Sequence, residues 1–510
     1  MKDLQNSLNS GMFILRLSGY FKMKNIRDEL TIGMAGIVSY TICLVNNFHT
    51  DDWLVLFNYS NGFSWLEFLS MENLGRFRPL TNILLYFRYL AFGENAVWYY
   101  ALNIALHIAI CILLYRFLLK MGVPRATSLF AGLIFAVYFQ HYEAVLWLYG
   151  TIRIFAAAFW ILSLWALRSY ILDGRPRSLA IYAAVSTLGL FVVEDFVVAP
   201  LGFAVFTLIF AERNYLWKRL MPVAMVGAAG LTVYFALRAT LIVRPQIVED
   251  YYYFGPHVIT RLGAYFEWMA LPPPDHSYFQ KLSSHLSPVI YNIWDSLSFA
   301  CMLGLMAYSI FLIFRAPRLV SFFAFFIFLT LLPALPLNYK VTSRNIYLPS
   351  IGLSVILANL LGRIVERFKA RQSLKRLFYV GSGALAVLSA ISIWVTSLEY
   401  RKNQMLVASM ISDIRSSGVD LINCKFVLLD HMPGRAIIGP TMIYRFGYIN
   451  DVVASNDPVY GPIDIGKALR EIRLTGEPFE VFDYRDGHLV RVTDEYILRD
   501  ARQSGREISK

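Results

Sequence analysis

The sequence predicts an all-α polytopic membrane bundle of about eleven transmembrane helices, with a small C-terminal α/β domain. Three observations predict it. Of the 510 residues, 57% are hydrophobic and only 16% are charged, against ~25% charged in an ordinary soluble domain. The apolar residues come in long unbroken runs, which only a helix carries through lipid because it satisfies its own backbone hydrogen bonds. The basic residues fall in every second short loop, the pattern that orients a polytopic protein.

In chain order, the predicted spans cover roughly 30–48, 97–119, 126–140, 154–172, 179–193, 196–211, 220–238, 296–314, 319–337, 345–362 and 377–398. The two around 179–211 are short enough to form a re-entrant hairpin instead, which would leave the rest of the topology unchanged. Lys22, Lys24 and Arg27 precede the first span. Arg116, Lys120 and Arg125 follow the second, Arg168, Arg175 and Arg177 the fourth, Arg213, Lys218 and Arg219 the sixth, and Arg315 and Arg318 the eighth. Arg363, Arg367, Lys369, Arg371, Lys375 and Arg376 follow the tenth. The N-terminus is therefore expected in the cytoplasm, and eleven crossings place the tail outside. The first thirty residues are too polar for a cleavable signal peptide, so the first span is read as an uncleaved anchor. These loops account for the net charge of +12, which needs no nucleic-acid partner. Cys43, Cys111 and Cys301 lie in apolar runs and Cys424 stands alone, with neither a disulfide framework nor zinc spacing.

Two non-cytoplasmic loops are long, about 49–96 and 239–295. Composition changes near residue 400, which divides the chain into a membrane module, 1–398, and a soluble α/β domain, 399–510. Within that domain 425–430 reads as a strand, and 479–493 alternates about Asp486-Gly487 as a hairpin.

The ionisable residues concentrate on one membrane face. Asp51-Asp52 follows the first span. It is either a solvated helix end or a general base, and two carboxylates could also hold a divalent cation. Arg76 and Arg78 could grip a phosphate or anchor to lipid headgroups. Asn103 and His107, at i and i+4, share a helix face and are expected to bridge neighbouring helices. His141 with Glu143, Glu194 with Asp195, and Lys340 with Arg344 complete the set. Each has an interfacial reading alone; together they look like an active site for a lipid-anchored substrate.

Across roughly 50–355 the order of these elements resembles the GT-C superfamily of polytopic glycosyltransferases. It is most similar to the transmembrane O-mannosyltransferases that carry tetratricopeptide repeats, and to their bacterial relatives. An acidic pair, Asp51-Asp52, is followed by Arg78-Pro79-Leu80, by Phe92-Gly93, and by Asn103 with His107. The family's HPxHxEAVxW corresponds to Tyr138 through Trp147, its lysine–glutamate pair to Glu194 alone, and its ERxLYLPSxG to Arg344 through Gly352. Tyr138, Phe139, Val193 and Ser343 depart from the family residues, Arg153 stands where the family has an acid, and the repeats are missing.

The resemblance implies an inverting transfer of sugar from a polyprenyl-phosphate donor to an acceptor hydroxyl on a glycan, lipid or protein. It casts Asp51 or Asp52 as base, with Asp52 as partner or ligand. Arg344 would meet the phosphate, with Lys340, Arg78 and Arg76 behind it, while His141, Glu143 and Glu194 would orient sugar or acceptor. No cofactor is implied, since cationic side chains can stabilise the phosphate. Compact loops and missing repeats favour a prokaryotic inner membrane. Two rivals make other demands. A transporter for lipid-linked sugar needs midplane charges and repeats. A non-catalytic scaffold predicts no shared pocket.

Overall fold

The computed structural model describes residues 26–49, 51–60, 77–241, 252–273, 286–337, 341–367, 372–419, 421, 424–432, 451–457, 461–462, 464–475 and 477–497. The membrane module begins with α1 (Ile26–Tyr40), extended by a 3-10 turn, Thr41–Val45. The first long loop contributes α2 (Asp51–Ser60) and α3 (Pro79–Phe92). Then follow α4 (Ala96–Lys120), α5 (Arg125–Val137), the short α6 (Tyr142–Leu146), α7 (Thr151–Asp173), α8 (Pro176–Leu190), α9 (Ala199–Phe210) and α10 (Leu216–Leu241). The second long loop holds α11 (His257–Ala270), and α12 (Pro288–Arg315), α13 (Arg318–Leu331), α14 (Pro349–Arg367) and α15 (Gln372–Ser416) complete the bundle.

The sequence sets several boundaries by simple chemistry. Proline opens α3, α8 and α12 at a position whose N–H has no helical partner. Gly174 ends α7 in the left-handed region, with φ 66°.

Each of the eleven expected spans falls on helix. Seven stretches, including Ala96–Lys120, Thr151–Asp173 and Pro288–Arg315, are long and apolar enough to cross a membrane, and an eighth, Arg125–Leu146, would do so as a bent pair. The other three helices, α8, α9 and α13, have 15, 12 and 14 residues. At 1.5 Å per residue they reach only ~18–23 Å against a hydrocarbon core of ~30 Å. The bundle is apolar outside and largely apolar within, with polar side chains set into the core. Leu30, Met34, Trp98, Ile293, Leu297, Phe314 and Leu385 are exposed, while Asn103, His107, Thr151, Ser163, Thr207 and Ser309 are buried. The exposed apolar surface suits a hydrocarbon surrounding and the buried polar groups a hydrogen-bonded interior, and the chain is an integral membrane protein.

The C-terminal domain adds β1 (Phe426–Asp430), β2 (Asp451–Ala454), a two-residue pair β3 (Asn456–Asp457) and β4 (Gly461–Pro462), α16 (Ile465–Thr475), β5 (Phe479–Arg485) and β6 (His488–Arg491). The four-stranded sheet has the order β2-β1-β5-β6, with β1 parallel to β2 and β5, and β6 antiparallel to β5. Asp486 and Gly487 both have positive φ, 51° and 91°, as a two-residue type I′ hairpin turn requires. Alternation in β1 sends Val427 and Leu429 to one face and Leu428 to the other. The first two pack with Met410, Ile411 and Ile414 of α15, and the last with Ile465, Leu469 and Ile472 of α16. The expected boundary at 398–399 thus lies inside one continuous helix, whose last turns belong to the domain's core.

The feature that matters most for function is the break between α5 and α6, where the chain bends by 50° and then returns through 147–150 into α7. The turn is tight. A Cβ on Gly150 would lie 1.9 Å from the Glu143 carbonyl oxygen and 3.0 Å from Ala144 Cα. Both neighbours are backbone and cannot swing aside. Gly150→Ala should therefore destabilise the protein by at least the ~1–3 kcal/mol typical of overpacking. The check is the thermal midpoint in detergent; an unchanged midpoint would contradict this packing.

Candidate active site

The broken helix gathers the charged groups. In an apolar interior, the N–H and C=O groups that leave the helical ladder need other partners, and this segment finds them on distant elements. Asp52 is fully buried. Its carboxylate accepts hydrogen bonds from the backbone N–H of Leu148 at 3.5 Å, of Tyr149 at 3.3 Å and of His49 at 3.1 Å. Asn103 donates to the carbonyl oxygen of Val145 at 3.1 Å and accepts from Arg88 at 2.8 Å and Thr151 at 2.7 Å. Burial lowers Arg88 to about 10, so it stays charged at neutral pH. Glu143 accepts from the backbone N–H of Arg344 at 2.9 Å, which ties α6 to the turn, Ser343–Ile346, before α14. Gln140 accepts from Ser343 Oγ at 2.8 Å and donates to the Trp268 carbonyl of α11 at 3.0 Å.

These bonds enclose a small cavity lined by Arg78, Trp147, Tyr149, Ile152, Arg153, Glu194, Asp195, Tyr252, Leu337 and Arg344. Its volume is about 20 Å³, room for about one water molecule. Arg78 makes a two-pronged ion pair with Glu194, and its guanidinium sits 5.6 Å from the centre of the Tyr149 ring. Burial alone would lower the pKa of Arg78; Glu194 more than offsets this and holds it well above its usual range. Arg153 pairs with Asp195 and donates to Asn345 Oδ1 at 2.7 Å, and Asn345 in turn donates to Tyr265 Oη at 2.8 Å. Arg344 lays its guanidinium over the Trp147 ring at 4.8 Å. The rim is pinned by a bridge between Tyr252 and Leu337 and by a 2.8 Å bond from Tyr253 N–H to the Pro336 carbonyl.

Of the residues singled out in the sequence, the structure brings Arg78, Glu194, Asp195 and Arg344 to one cavity. Glu143 and Asp52 stand immediately behind, through Arg344 N–H and Tyr149 N–H. His141 is fully buried deeper in the bundle, with Nε2 2.6 Å from Ser350 Oγ. Beside it, His107 Nδ1 is 2.7 Å from Tyr347 Oη. Asp51 opens α2, but its side chain lies outside the described residues, as do Arg76 and Lys340. Sequence reasoning gave no role to Arg153, Trp147, Tyr149 or Asn345. Arg153 carried a usable signal: a charge at the head of an apolar run is tolerated only facing the bundle interior. Among the described residues, no group of three or more His, Cys, Asp or Glu side chains is arranged to hold a metal ion.

No model of a known protein family matches the chain, and no curated protein matches it. Among solved structures, the oligosaccharyltransferase of the archaeon Archaeoglobus fulgidus in its apo form is similar. It shares 10% identity and a TM-score of 0.50, over 91% of this chain and 70% of that one. The same organism's oligosaccharyltransferase AglB, in complex with an inhibitory peptide and a dolichol-phosphate, shares 10% identity and a TM-score of 0.49, over 89% and 69%. At this identity the apo likeness shows the fold alone: the chain has the GT-C fold.

The Arg78–Glu194 pair generates a prediction. Its side chains are 4% and 17% exposed, so removing one partner strands a buried charge, which typically costs about 3–5 kcal/mol. Glu194→Gln should lower the unfolding midpoint sharply, and combining Arg78→Met with Glu194→Leu should recover most of the loss. A double variant as unstable as the single one would show that the pair is not the dominant interaction of either residue.

Proposed function

We propose that the chain is a glycosyltransferase that moves a sugar from a polyprenyl-phosphate donor to an acceptor hydroxyl of a glycan, lipid or protein, by a single inverting displacement. One observation carries this reading: three guanidinium groups, Arg78, Arg153 and Arg344, converge on one cavity beside Trp147 and Tyr149. Paired acids, Glu194 and Asp195, sit alongside in the turn between α8 and α9. Guanidinium groups suit a departing phosphate through bidentate hydrogen bonds, and an aromatic ring suits the apolar face of a sugar. The GT-C fold is compatible with this chemistry without specifying it.

Arg344 is assigned to the donor phosphate, with Arg78 and Arg153, each already paired with an acid, as hydrogen-bond donors beside it and Lys340 and Arg76 as further candidates. Asp51 is assigned as general base. Asp52, committed to three backbone N–H groups, holds α2 in place rather than taking the proton, and Asp51/Asp52 is then a poor cage for a divalent cation. Glu194, Asp195 and Glu143 keep the arginines and the Arg344 turn in position, and His141 braces the break between α5 and α6 against α14 through Ser350. The positive charge on the arginines lets the reaction proceed without a metal or other cofactor. A sugar is far larger than the present cavity, so donor entry requires the rim to move. Basic loops on alternate sides favour a cytoplasmic N-terminus. The C-terminal domain then lies on the opposite face, with the site, if α13, continued by its turn to Ala334, crosses along with the eight longer stretches, since losing the pair α8 and α9 leaves the parity unchanged.

Two tests follow. A reporter that is active only in the cytoplasm, fused after residue 510, should be silent; strong activity would put the acids on the wrong side of the membrane. In single-turnover transfer from polyprenyl-phosphate sugars, Asp51→Asn should lose about 10²–10⁴-fold in rate while keeping donor binding. Arg344→Ala should lose both rate and affinity, with Arg344→Lys in between. Full activity in Asp51→Asn and Asp52→Asn alike would remove the acidic pair from the mechanism.

A further inference from the structure

We propose that Ser397, Tyr400 and Gln404 of α15 are positioning residues for the acidic loop, and that through them the seating of the C-terminal domain sets the rate of the transfer proposed above. The proposal rests on that reading for its rate term alone; the mechanical part stands on contacts.

The three residues recur at intervals of three and four, so they share one face of the helix. That face holds the segment Asn46–His49, which leads directly into Asp51 and Asp52. Asn46 Nδ2 donates to Ser397 Oγ at 2.9 Å. Gln404 grips Asn47 from both sides: its Oε1 accepts from the Asn47 backbone N–H at 2.8 Å, and its Nε2 donates to the Asn47 carbonyl at 2.5 Å. A side-chain amide that mimics a strand partner in this way fixes the height of the loop along the helix. Tyr400 packs edge-on against His49, with ring centres 4.7 Å apart, and at 6.3 Å against Tyr142. It therefore touches both the segment before Asp52 and the residue before Glu143. From His49 the chain of bonds continues through Asp52 to the N–H groups of Leu148 and Tyr149, which abut the cavity.

The same helix is seated in the soluble domain. Asp413 accepts the Leu489 backbone N–H at 3.0 Å and lies 3.2 Å from His488 Nδ1, at the β5–β6 hairpin. Met410, Ile411 and Ile414 are part of that domain's core. Gln404 and Asp413 are nine residues apart, or ~14 Å of unbroken helix. A displacement of the domain is therefore delivered, as a shift or rotation of one rigid rod, to the residues that precede the acidic pair.

The test uses the full chain in phosphatidylcholine–phosphatidylglycerol bilayers and two independent readouts. Gln404→Met keeps length and volume and removes both hydrogen bonds. Amide hydrogen exchange over residues 46–53 should quicken about tenfold, as expected for the loss of two hydrogen bonds. The rate of sugar transfer should fall about tenfold with the donor KM unchanged, and the thermal midpoint should hold. Gln404→Glu, which keeps the acceptor, should sit between. Met405→Gln, at an exposed neighbouring position, should match the parent in both. Unchanged exchange in Gln404→Met overturns the proposal, and so does faster exchange with an unchanged transfer rate. If exchange quickens but the parent protein transfers no sugar, the mechanical link stands and the transferase reading falls.

Discussion

The architecture depends on one constraint: the backbone polar groups released between α5 and α7, where the chain breaks and returns, must be satisfied inside an apolar bundle. A helix interrupted at this depth exposes N–H and C=O groups to surroundings that offer no water. The chain meets the demand with side chains borrowed from α2 and α4. Asp52 accepts two backbone N–H groups and Asn103 donates to Val145, while Glu143 of the broken segment in turn accepts the backbone N–H of Arg344. Each of these bonds spans a long stretch of sequence, so satisfying the break also fixes the relative positions of elements far apart in the chain. The cavity is a by-product of that assembly, and its walls are as rigid as the bonds that close the break.

The second consequence is electrostatic. An isolated guanidinium in such an interior carries a large desolvation cost, which is tolerable only when a carboxylate shares the space. Arg78 and Arg153 each have one, from adjacent residues Glu194 and Asp195 of the turn that opens α9. Arg88, without a carboxylate contact of this kind, distributes its donors over the Tyr99 carbonyl, Asn103 and Thr151, and its pKa is depressed to about 10. Replacing the ion pairs with apolar residues could be neutral for stability, whereas the Arg88 network also holds Asn103, which satisfies the Val145 carbonyl.

Much of this was legible in the sequence. Unbroken apolar runs gave the helices, and Asp486-Gly487 gave the hairpin, because both depend on local rules. The spacing of Asn103 and His107 indicated interior polar bridges, and both residues make them. The helices were harder to measure than to find: α8, α9 and α13 are as apolar as the others but too short to cross alone, and α15 runs well past its apolar stretch because nothing in Leu398–Ser416 breaks a helix. The site was legible as a set of residue types on one face, but its pairing was not. Glu194 could have met any of several arginines, and the choice of Arg78 is made by the packing of α3 against the turn after α8, where Leu80 N–H meets the Phe191 carbonyl. Asp52 read as the base or its partner, on the resemblance and on the cost of a carboxylate at a span end. Its bonds to the backbone amides of Leu148 and Tyr149 were not legible, because they depend on a bend no local pattern announces.

The paired arginines change what it means to occupy the cavity. At Arg78 and Arg153, which already hold resident anions, an arriving anion does not meet bare charge. It enters an exchange, as a counter-ion does on a resin, and gains only the difference between its own bonds and those it displaces. Monovalent ions of the medium, which offer little beyond a single charge, would be poor competitors for a carboxylate that is covalently tethered and already aligned. The proposed donor, with several phosphate oxygens, would have to gain more from these groups than the tethered carboxylate does. Selectivity for a large, multiply bonded anion over abundant small ones would then come from the occupied state of the pocket itself.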